Sequence, residues 1–544
     1  MRVEGTVYEA FRRTVHRHPD SDFLAIVPDT ARHYGIEARS YTYGQADGEV
    51  AGLIESYRRA GIGVGHRCGL MLENRPALFF HWLALNALGA STVPLNTDWR
   101  AAELEYVLAH SEMTAAVVPV SREQEVRDAA VRARRAVAVT SPSLSNLEGV
   151  SSAAISASPI DVNTECALMY TSGTTGRPKG CVLANEYYLW AGTWYGQVGG
   201  LCTLEEGAER LVTPLPMSHM NAMAFSTIAM ILKGGCIIPL DRFHPSTWWE
   251  SVQVSRATII HYLGVMPAML LGLEHGRWDR QHSVRFGFGA GVSPRLHAPF
   301  ETRFGFPLLE AWAMTETGAG GVIMANREPR KVGSACIGKP SELVDVRVVA
   351  EDGASAAAGQ HGELWVRSAT GRPGFGFFRE YLKDPEATAA AWGGGYFRTG
   401  DVVFADEDGD LHFVDRKKNV IRRSGENISA VEVESVLLQH PRVAAVGVAA
   451  VPDAVRGDEV MACVVPRGAL NDSEEPALAR ELVAFCLQRL AYFKAPGFVT
   501  FCERLPLTPT QKIQRARLSE LACESVDAAR TVDLRGLKKR TTPA

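Results

Sequence analysis

The stretch TSGTTGRPKG, residues 171–180, contains the residue types best suited to binding a chain of phosphates. Two of its glycines let backbone N–H groups approach a ligand closely. Four hydroxyls can donate hydrogen bonds, and one lysine supplies a positive charge. These residues are Thr171, Ser172, Gly173, Thr174, Thr175, Gly176 and Lys179. The spacing matches neither the Walker A loop nor the dinucleotide fingerprint. Composition alone leaves two interpretations open, a polyphosphate loop or an exposed turn.

The segments around this loop alternate between helical and extended patterns from about residue 40 to about residue 330. The clearest are helices at 46–58 and 77–88 and strands at 68–72 and 91–96. Such alternation is typical of layered α/β architecture with parallel strands. Beyond about residue 330, short strands separated by turn signals such as Glu-Asp-Gly at 351–353 predict a β-rich portion. We therefore predict a large α/β domain over residues 1–416.

A second, smaller domain is expected because single cores stop growing at roughly 250–300 residues, and the chain has 544. Helical patterns at 430–439 and 474–490 and strand patterns at 444–451 and 460–465 predict a small α+β domain over residues 417–525. Residues 526–544 are polar and net basic with little periodicity. We predict a disordered tail there.

Composition and charge narrow the class of partner. The chain is 46% hydrophobic and 22% charged, with a formal net charge of -4, so its overall charge does not favour nucleic acid. The ten cysteines stand singly, without zinc-ligand spacing, which favours reduced thiols. The N-terminal residues lack a signal-peptide pattern, and no run approaches the ~20 apolar residues that span a bilayer. We expect a cytoplasmic enzyme with small-molecule substrates and no membrane span.

The string from Tyr170 to Gly180 resembles the phosphate loop of the adenylate-forming superfamily, which includes acyl-CoA synthetases, luciferases and the adenylation domains of peptide synthetases. The resemblance extends over about residues 5–520 through further motifs in the expected order. It implies that a carboxylic acid attacks the α-phosphate of ATP, giving an acyl-adenylate and pyrophosphate. A thiol, usually that of coenzyme A, then displaces AMP. The implied cofactors are ATP, Mg²⁺ and coenzyme A.

The resemblance assigns the nucleotide site to several segments. In AWAMTET (311–317), Trp312 would stack on adenine, Thr315 would contact the α-phosphate and Glu316 would hold Mg²⁺. Trp312 and Ala313 depart from the family's Tyr and Gly, which puts the shape of the adenine slot in doubt. Without the family, this stretch would be interpreted as a strand end followed by a helix cap.

Two further segments complete the implied nucleotide site. GFGAGVSP (287–294) resembles the adenine wall, and YFRTGD (396–401) resembles the segment whose Asp binds the ribose hydroxyls. Taken alone, both segments fit ordinary turns. The residues implied are Gly289, Ala290, Gly291 and Asp401, with Arg416 as a second ribose or phosphate contact.

Four residues are implied in the chemistry and in a domain movement. His219 in PLPMSH matches the entrance for the carboxylate, although a lone His more often only packs. Lys512 matches the catalytic lysine that bridges the carboxylate and the α-phosphate; Gln511 replaces the family's Gly before it. Lys418 matches the hinge about which the small domain moves. Gly425 would then lie near the tunnel for the thiol.

The whole pattern is most similar to acyl-CoA ligases of the crotonobetaine/carnitine-CoA ligase type, so we expect a carboxylic acid:CoA ligase for a small or medium acid. A stand-alone enzyme that passes the acyl group to a carrier protein or an amine is the alternative, and a non-catalytic adenylate-binding protein is a third. Assembly into a homodimer is left open. Tyr187, Trp190 and Trp194 share one helix face, which either packs in the core or lines the acyl pocket and binds a quaternary ammonium.

Overall fold

The computed structural model describes residues 3–145, 147, 150, 159–171, 178–350, 352–416, 420–471, 473–506, 513, 515–526, 528 and 530–539. Within these ranges the strands, numbered along the chain, are β1 Asp22–Ala25, β2 Ser40–Thr42, β3 Arg67–Leu70, β4 Ser91–Pro94, β5 Ala115–Val117, β6 Ala138–Thr140, β7 Glu165–Thr171, β8 Lys179–Ala184, β9 Arg210–Thr213, β10 Cys236–Pro239, β11 Ile259–Leu263, β12 Phe286–Ala290, β13 Leu308–Trp312, β14 Ile323–Met324, β15 Cys336–Gly338, β16 Val344–Val349, β17 Gly362–Ser368, β18 Trp392–Gly393, β19 Tyr396–Ala405, β20 Leu411–Arg416, β21 Val420–Arg423, β22 Glu426–Ser429, β23 Val443–Asp453, β24 Gly457–Pro466, β25 Phe498–Phe501 and β26 Thr531–Asp533.

The α-helices of the same ranges are α1 Val7–Arg17, α2 Pro28–Tyr34, α3 Tyr43–Arg59, α4 Pro76–Ala87, α5 Ala101–Ser111, α6 Glu123–Arg132, α7 Asn185–Gln197, α8 Thr227–Lys233, α9 Trp248–Val254, α10 Val265–Leu271, α11 Pro294–Phe304, α12 Pro385–Ala390, α13 Ala430–Leu437, α14 Glu475–Leu487 and α15 Arg515–Ser525. A π-helical turn, Asn221–Ser226, precedes α8.

Two mostly parallel sheets form the body of the large domain. The first has the strand order β14-β13-β12-β11-β9-β10-β1-β2 and is parallel from β13 to β1. The second has the order β6-β5-β3-β4-β7-β8 and is parallel from β6 to β7. Because adjacent parallel strands end at the same edge, the loops after β9, β11, β12 and β13 lie side by side. This edge positions the candidate site.

The residues at the start of helices α3 and α4 explain where each helix begins. Helix α3 begins with a capping box, in which the Thr42 side chain accepts from the Gln45 N–H and the Gln45 side chain accepts from the Thr42 N–H. Helix α4 begins with Pro76 at its first position, and it is buried around most of its circumference. The predicted helices at 46–58 and 77–88 therefore correspond to α3 and α4, and the predicted strands at 68–72 and 91–96 correspond to β3 and β4.

The β-rich portion predicted after residue 330 is an antiparallel sheet with the order β15-β20-β19-β17-β16, and β18 pairs with β19. A separate sheet follows, with the order β22-β21-β24-β25-β26, and β23 pairs with β24. Its apolar cluster runs from Ile421 to Leu534, distinct from the clusters that end at Leu411. The molecule therefore has the predicted architecture, a large domain of layered α/β sheets and a β-rich part, followed by a small α+β domain.

The prediction of a disordered tail over 526–544 is wrong for residues 530–539. Thr531–Asp533 forms β26, which pairs antiparallel with β25. The Lys538 ammonium is fully buried and donates to the buried Glu459 carboxylate, which also accepts from Arg423 Nε at 2.8 Å. Burial and the Arg423 charge lower the pKa of Lys538 to about 7. Residues 530–539 are held largely by charged side chains. The segment therefore lacks the apolar periodicity by which a strand or helix is predicted from sequence.

Eight of the ten cysteines are buried, Cys502 is half-buried and Cys523 is exposed. All ten are free thiols, as the sequence predicted. Among the described ranges, no helix combines the length and the apolar composition needed to cross a membrane.

Candidate active site

A cavity of about 1060 Å³ lies where the loops of the first sheet, the ends of β7 and β8, and the small domain meet. The loop after β9 contributes His219, the loop after β13 contributes Thr315 and Glu316, and β8 contributes Lys179. The small domain contributes Gly425 from the turn between β21 and β22. The volume is at the upper end of the range for ligand sites, roughly 300–1,000 Å³. The cavity is therefore large enough for more than one substrate.

One end of the cavity combines an ammonium with a carboxylate. Lys179 Nζ lies 4.6 Å from the centre of the Tyr381 ring and 3.8 Å from Asp384 Oδ2. The Tyr381 hydroxyl donates to Glu316 Oε1 at 2.9 Å. Tyr381 thus contacts both Lys179 and Glu316 and fixes their separation. A lysine suits phosphate oxygens, and a carboxylate oxygen suits a hard cation.

The turn after β12 is held by a buried carboxylate. Glu310 accepts hydrogen bonds from the Gly291 N–H at 2.9 Å, the Val292 N–H at 3.2 Å and the Tyr262 hydroxyl at 2.6 Å. Burial raises the pKa of Glu310. A Cβ at Gly289 would lie 2.3 Å from the Tyr262 carbonyl oxygen, so only glycine fits there. The predicted adenine wall is therefore a rigid turn, although its three residues are not among those that line the cavity.

Trp312 and Asp401 contact each other behind the cavity wall. The Trp312 indole N–H donates to Asp401 Oδ2 at 2.8 Å, and both residues are buried. Their neighbours Ala313, Thr399 and Gly400 line the cavity, whereas Trp312 and Asp401 do not. Asp401 lies opposite Arg416 in the β19–β20 ladder. Stacking of Trp312 on adenine and binding of ribose by Asp401 remain predictions.

His219 lies at a junction between the two domains. Its Nε2 is 3.5 Å from Oε2 of Glu426, the first residue of β22, and 43% of the His219 side chain is accessible. Burial disfavours the charged imidazole, but the Glu426 carboxylate outweighs this effect and raises the pKa of His219. A positively charged imidazole is thereby favoured at the cavity wall.

The small domain faces the cavity through the turn at Ser424 and Gly425. Gly425 has φ +87°, and a Cβ there would lie 2.1 Å from Leu263 Cδ1 of the large domain. Tyr492, Phe493 and Lys494 line the cavity beside this turn. The positive φ favours glycine at this position, and an added Cβ would displace the end of the Leu263 side chain.

The structure brings six of the predicted residues to one cavity. These are Thr171, Lys179, His219, Thr315, Glu316 and Gly425. Ser172, Gly173, Thr174, Thr175, Gly176, Lys418 and Lys512 lie outside the described residues, as does the side chain of Arg416. The individual roles assigned to all of these residues remain predictions.

Sequence reasoning missed several residues that build the site. Glu310, an acidic residue inside the apolar strand β13, was the most visible signal, because a carboxylate in such a run must find buried donors. Tyr381, Glu426 and Lys494 gave no such signal, since their partners are distant in sequence. The face formed by Tyr187, Trp190 and Trp194 is buried in the core and does not line the cavity. The core interpretation of that face is confirmed.

Comparisons with known proteins agree with this geometry. A sequence model described as AMP-binding enzyme matches residues 11–382, and one described as AMP-binding enzyme C-terminal domain matches residues 432–512. The chain is 32% identical to the sulfoacetate–CoA ligase of Cupriavidus necator over 510 residues, 92% of this chain and 94% of the relative. It is 30% identical to the crotonobetaine/carnitine–CoA ligase of Citrobacter koseri over 495 residues, 88% of this chain and 93% of the relative.

The fold is also that of a solved enzyme. The o-succinylbenzoate CoA synthetase of Bacillus subtilis, bound with its product analogue OSB-NCoA, superimposes with a TM-score of 0.80. The match covers 95% of this chain and 99% of that chain at 24% identity, which establishes likeness of fold. The sequence matches over both domains establish that the chain belongs to the AMP-binding enzyme family.

Proposed function

We propose that the protein is an ATP-dependent carboxylic acid:CoA ligase that activates a small or medium acid as its adenylate and transfers the acyl group to the CoA thiol. The observation that carries the proposal is the single cavity that Lys179, Glu316, His219 and Gly425 all line. A phosphate-binding group and a group suited to a carboxylate therefore share one cavity. The ligase names of the two curated relatives support the same reaction class.

The side chains present fit ATP and Mg²⁺. Lys179 and the hydroxyls of Thr171 and Thr315 lie along the cavity and suit phosphate oxygens. Glu316 would hold Mg²⁺, which when bound supplies positive charge to those oxygens. Tyr381 orients the Glu316 carboxylate through its hydroxyl. We assign Lys512, which lies outside the described residues, as the ammonium that neutralises the attacking carboxylate.

The proposed reaction has two balanced steps. In the first, a carboxylate oxygen forms a bond to the α-phosphorus and pyrophosphate leaves. In the second, the thiol sulfur bonds to the acyl carbon, AMP leaves and the thiol proton passes to solvent. The charged His219 would attract the incoming carboxylate, and the Ser424–Gly425 turn would border the thiol's path. Catalysis would rest mainly on positioning and on fixed charges.

The part of the cavity next to His219 favours an acid with an apolar chain. The loops after β9 and β13, the end of β11 and helix α10 present thioether and aliphatic side chains to the cavity. These are Leu215, Met217, Leu263, Met266, Met269 and Met314. Methionine adapts to ligands of varied shape, whereas a second charge in such surroundings needs a partner. We therefore propose a monocarboxylic acid with an apolar chain as the substrate.

A panel of acids tests both parts of the proposal. Acid-dependent exchange of labelled pyrophosphate into ATP is measured with hexanoate, octanoate, sulfoacetate and crotonobetaine, and thioester is then measured with CoA present. We expect exchange and thioester formation with the apolar acids. Preference for sulfoacetate or crotonobetaine would contradict the proposed acid class but leave the ligase. Exchange with none of these acids would contradict the ligase itself.

The acceptor is tested separately. If an amine or a carrier protein accepts the acyl group, CoA will not increase the rate at which the acyl-adenylate is consumed. Lys512→Ala is expected to abolish pyrophosphate exchange while the far-ultraviolet circular dichroism stays that of the wild type. Exchange at the wild-type rate would refute the assignment of Lys512.

A further inference from the structure

A buried cluster of three charges joins the two domains beside the cavity. Lys494 Nζ of the small domain donates to Glu103 Oε1 of the large domain at 2.7 Å and to Glu432 Oε1 of the small domain at 2.9 Å. The three side chains are only 6–9% accessible. Glu103 lies in the first turn of α5, where its other oxygen accepts from the Arg100 N–H at 3.1 Å. Each end of the cluster is thus anchored in a rigid element.

The cluster depends on the docking of the two domains. Burial alone would lower the pKa of Lys494, but the two carboxylates outweigh it and raise that pKa. Burial and the Glu432 charge raise the pKa of Glu103 against the effect of Lys494. Charges without water are tolerated only where they are paired, and removing one partner leaves the others buried and uncompensated. The pair between Lys494 and Glu103 therefore favours one relative placement of the domains.

That placement is the one in which the small domain covers the cavity. Lys494 follows Tyr492 and Phe493, which line the cavity, and in the same placement Gly425 lies against Leu263. A second contact between the domains, His219 with Glu426, is longer at 3.5 Å and more accessible. The ion pairs of the Lys494 cluster are shorter and less accessible to solvent than the pair between His219 and Glu426. The Lys494 cluster is therefore the stronger determinant of the docked placement.

We propose that Lys494 is a positioning residue for thioester formation: by bridging Glu103 and Glu432 it holds the Ser424–Gly425 turn at the cavity. The inference rests on the proposed ligase function. Lys494 acts through the placement of the turn, because its ammonium is held by the two carboxylates. Loss of the bridge should slow the second half-reaction and spare the first.

The test separates the two half-reactions in three variants of the full chain. Glu103→Gln removes the charge between the domains, and Lys494→Met leaves the two carboxylates facing each other. Glu520→Gln is the matched control, because Glu520 pairs with Arg517 in the same domain at an exposed site. Pyrophosphate exchange without CoA reports the first step. Single-turnover conversion of preformed acyl-adenylate with CoA reports the second.

We expect Glu103→Gln, at a residue that does not line the cavity, to slow thioester formation at least about tenfold with exchange within about twofold of wild type. Lys494→Met should slow thioester formation further. Glu520→Gln should change neither rate. Equal loss in both half-reactions, or an unchanged thioester rate, would overturn the proposal. Absence of exchange in the wild type would instead overturn the ligase function on which it rests.

A charge exchange provides a second, independent variant. Glu103→Lys combined with Lys494→Glu keeps one cation and two carboxylates in the cluster and restores an ion pair between the domains. We expect the double variant to recover thioester formation above the level of Lys494→Met. If a single variant fails to fold by circular dichroism, Glu103→Asp replaces it, because it keeps the charge and only lengthens the pair. A double variant no faster than Lys494→Met would also overturn the proposal.

Discussion

The variant Gly425→Ala tests whether thioester formation depends on docking of the Ser424–Gly425 turn against the large domain. Alanine at φ +87° costs about 1–2 kcal/mol in any placement of the small domain. Its Cβ would also lie 2.1 Å from Leu263 Cδ1, a contact that exists only when the domains dock. Because Leu263 Cδ1 is the end of a flexible side chain, relieving this contact costs at the low end of overpacking, about 1 kcal/mol, which corresponds to a factor of roughly 5 in the docked population. Thioester formation should fall by that factor.

The assay compares the two half-reactions in matched variants. Gly353→Ala is the control for backbone strain, since Gly353 has φ +85° and, among the described residues, no atom lies within 4 Å of the place that an added Cβ would take. It should leave both half-reactions unchanged. Leu263→Ala, introduced into Gly425→Ala, removes the atom that clashes and should restore most of the thioester rate. Pyrophosphate exchange should stay close to wild type in Gly425→Ala and Gly353→Ala; because Leu263 also lines the cavity, the double variant is compared with Leu263→Ala alone.

Two results would refute this reasoning. If Gly425→Ala slows pyrophosphate exchange as much as thioester formation, the turn acts on folding or on the first step. If Leu263→Ala does not recover the rate, the contact with Leu263 is not what limits docking. Either result would remove Gly425 from the thiol path.

Three further predictions concern other parts of the molecule. Tyr381→Phe removes the donor to Glu316 at 2.9 Å; a hydrogen bond to a charged group contributes about 1.5–3 kcal/mol, so pyrophosphate exchange should fall by roughly tenfold or more, and an unchanged rate would contradict the orienting role. The pKa of His219 is raised, so its ion pair with Glu426 stabilises docking below that pKa and is lost as pH rises through it. Glu426→Gln should remove this decline of the thioester rate toward high pH, and a parallel profile would contradict the pairing. Several donors lower the pKa of Glu301 to about 2 despite burial, so its charge stabilises the large domain above pH ~4.5 by about 3 kcal/mol, and this stability is lost as pH falls toward 2. Calorimetry should show that Glu301→Gln lowers the unfolding temperature at pH 7 and by a smaller amount at pH 3.5, where part of the Glu301 contribution is already lost.

The fold was largely predictable because its signals are local. Helices α3 and α4 and strands β3 and β4 each carry their own apolar period, caps or turn residues, and each appears near its predicted position. The segments of the candidate site were found through sequence motifs, and six of their residues line one cavity. Local pattern was therefore sufficient for the architecture and for the location of the site.

The remaining features depend on contacts between distant residues. Lys494 and Glu103 are 391 positions apart, and neither position has a composition that predicts burial. The prediction of disorder around Lys538 failed for the same reason. A lysine is buried only where it pairs with an acidic residue, here Glu459, and that partner is distant in sequence. The hydrogen bond from the Trp312 indole N–H to Asp401 joins positions 89 apart in the chain. Charge pairing across a fold has no period that a single sequence displays.

Strand β26 limits how far the C-terminus can be shortened when the protein is expressed. The matched C-terminal region stops at residue 512, so a boundary drawn there deletes Thr531–Asp533 and Lys538. Strand β25 would then become an unpaired edge, and Glu459 would lose one of its two cations. Open edges recruit strands from other molecules. The shortened enzyme is therefore expected to self-associate and precipitate, whereas the chain that keeps residues 530–539 protects that edge.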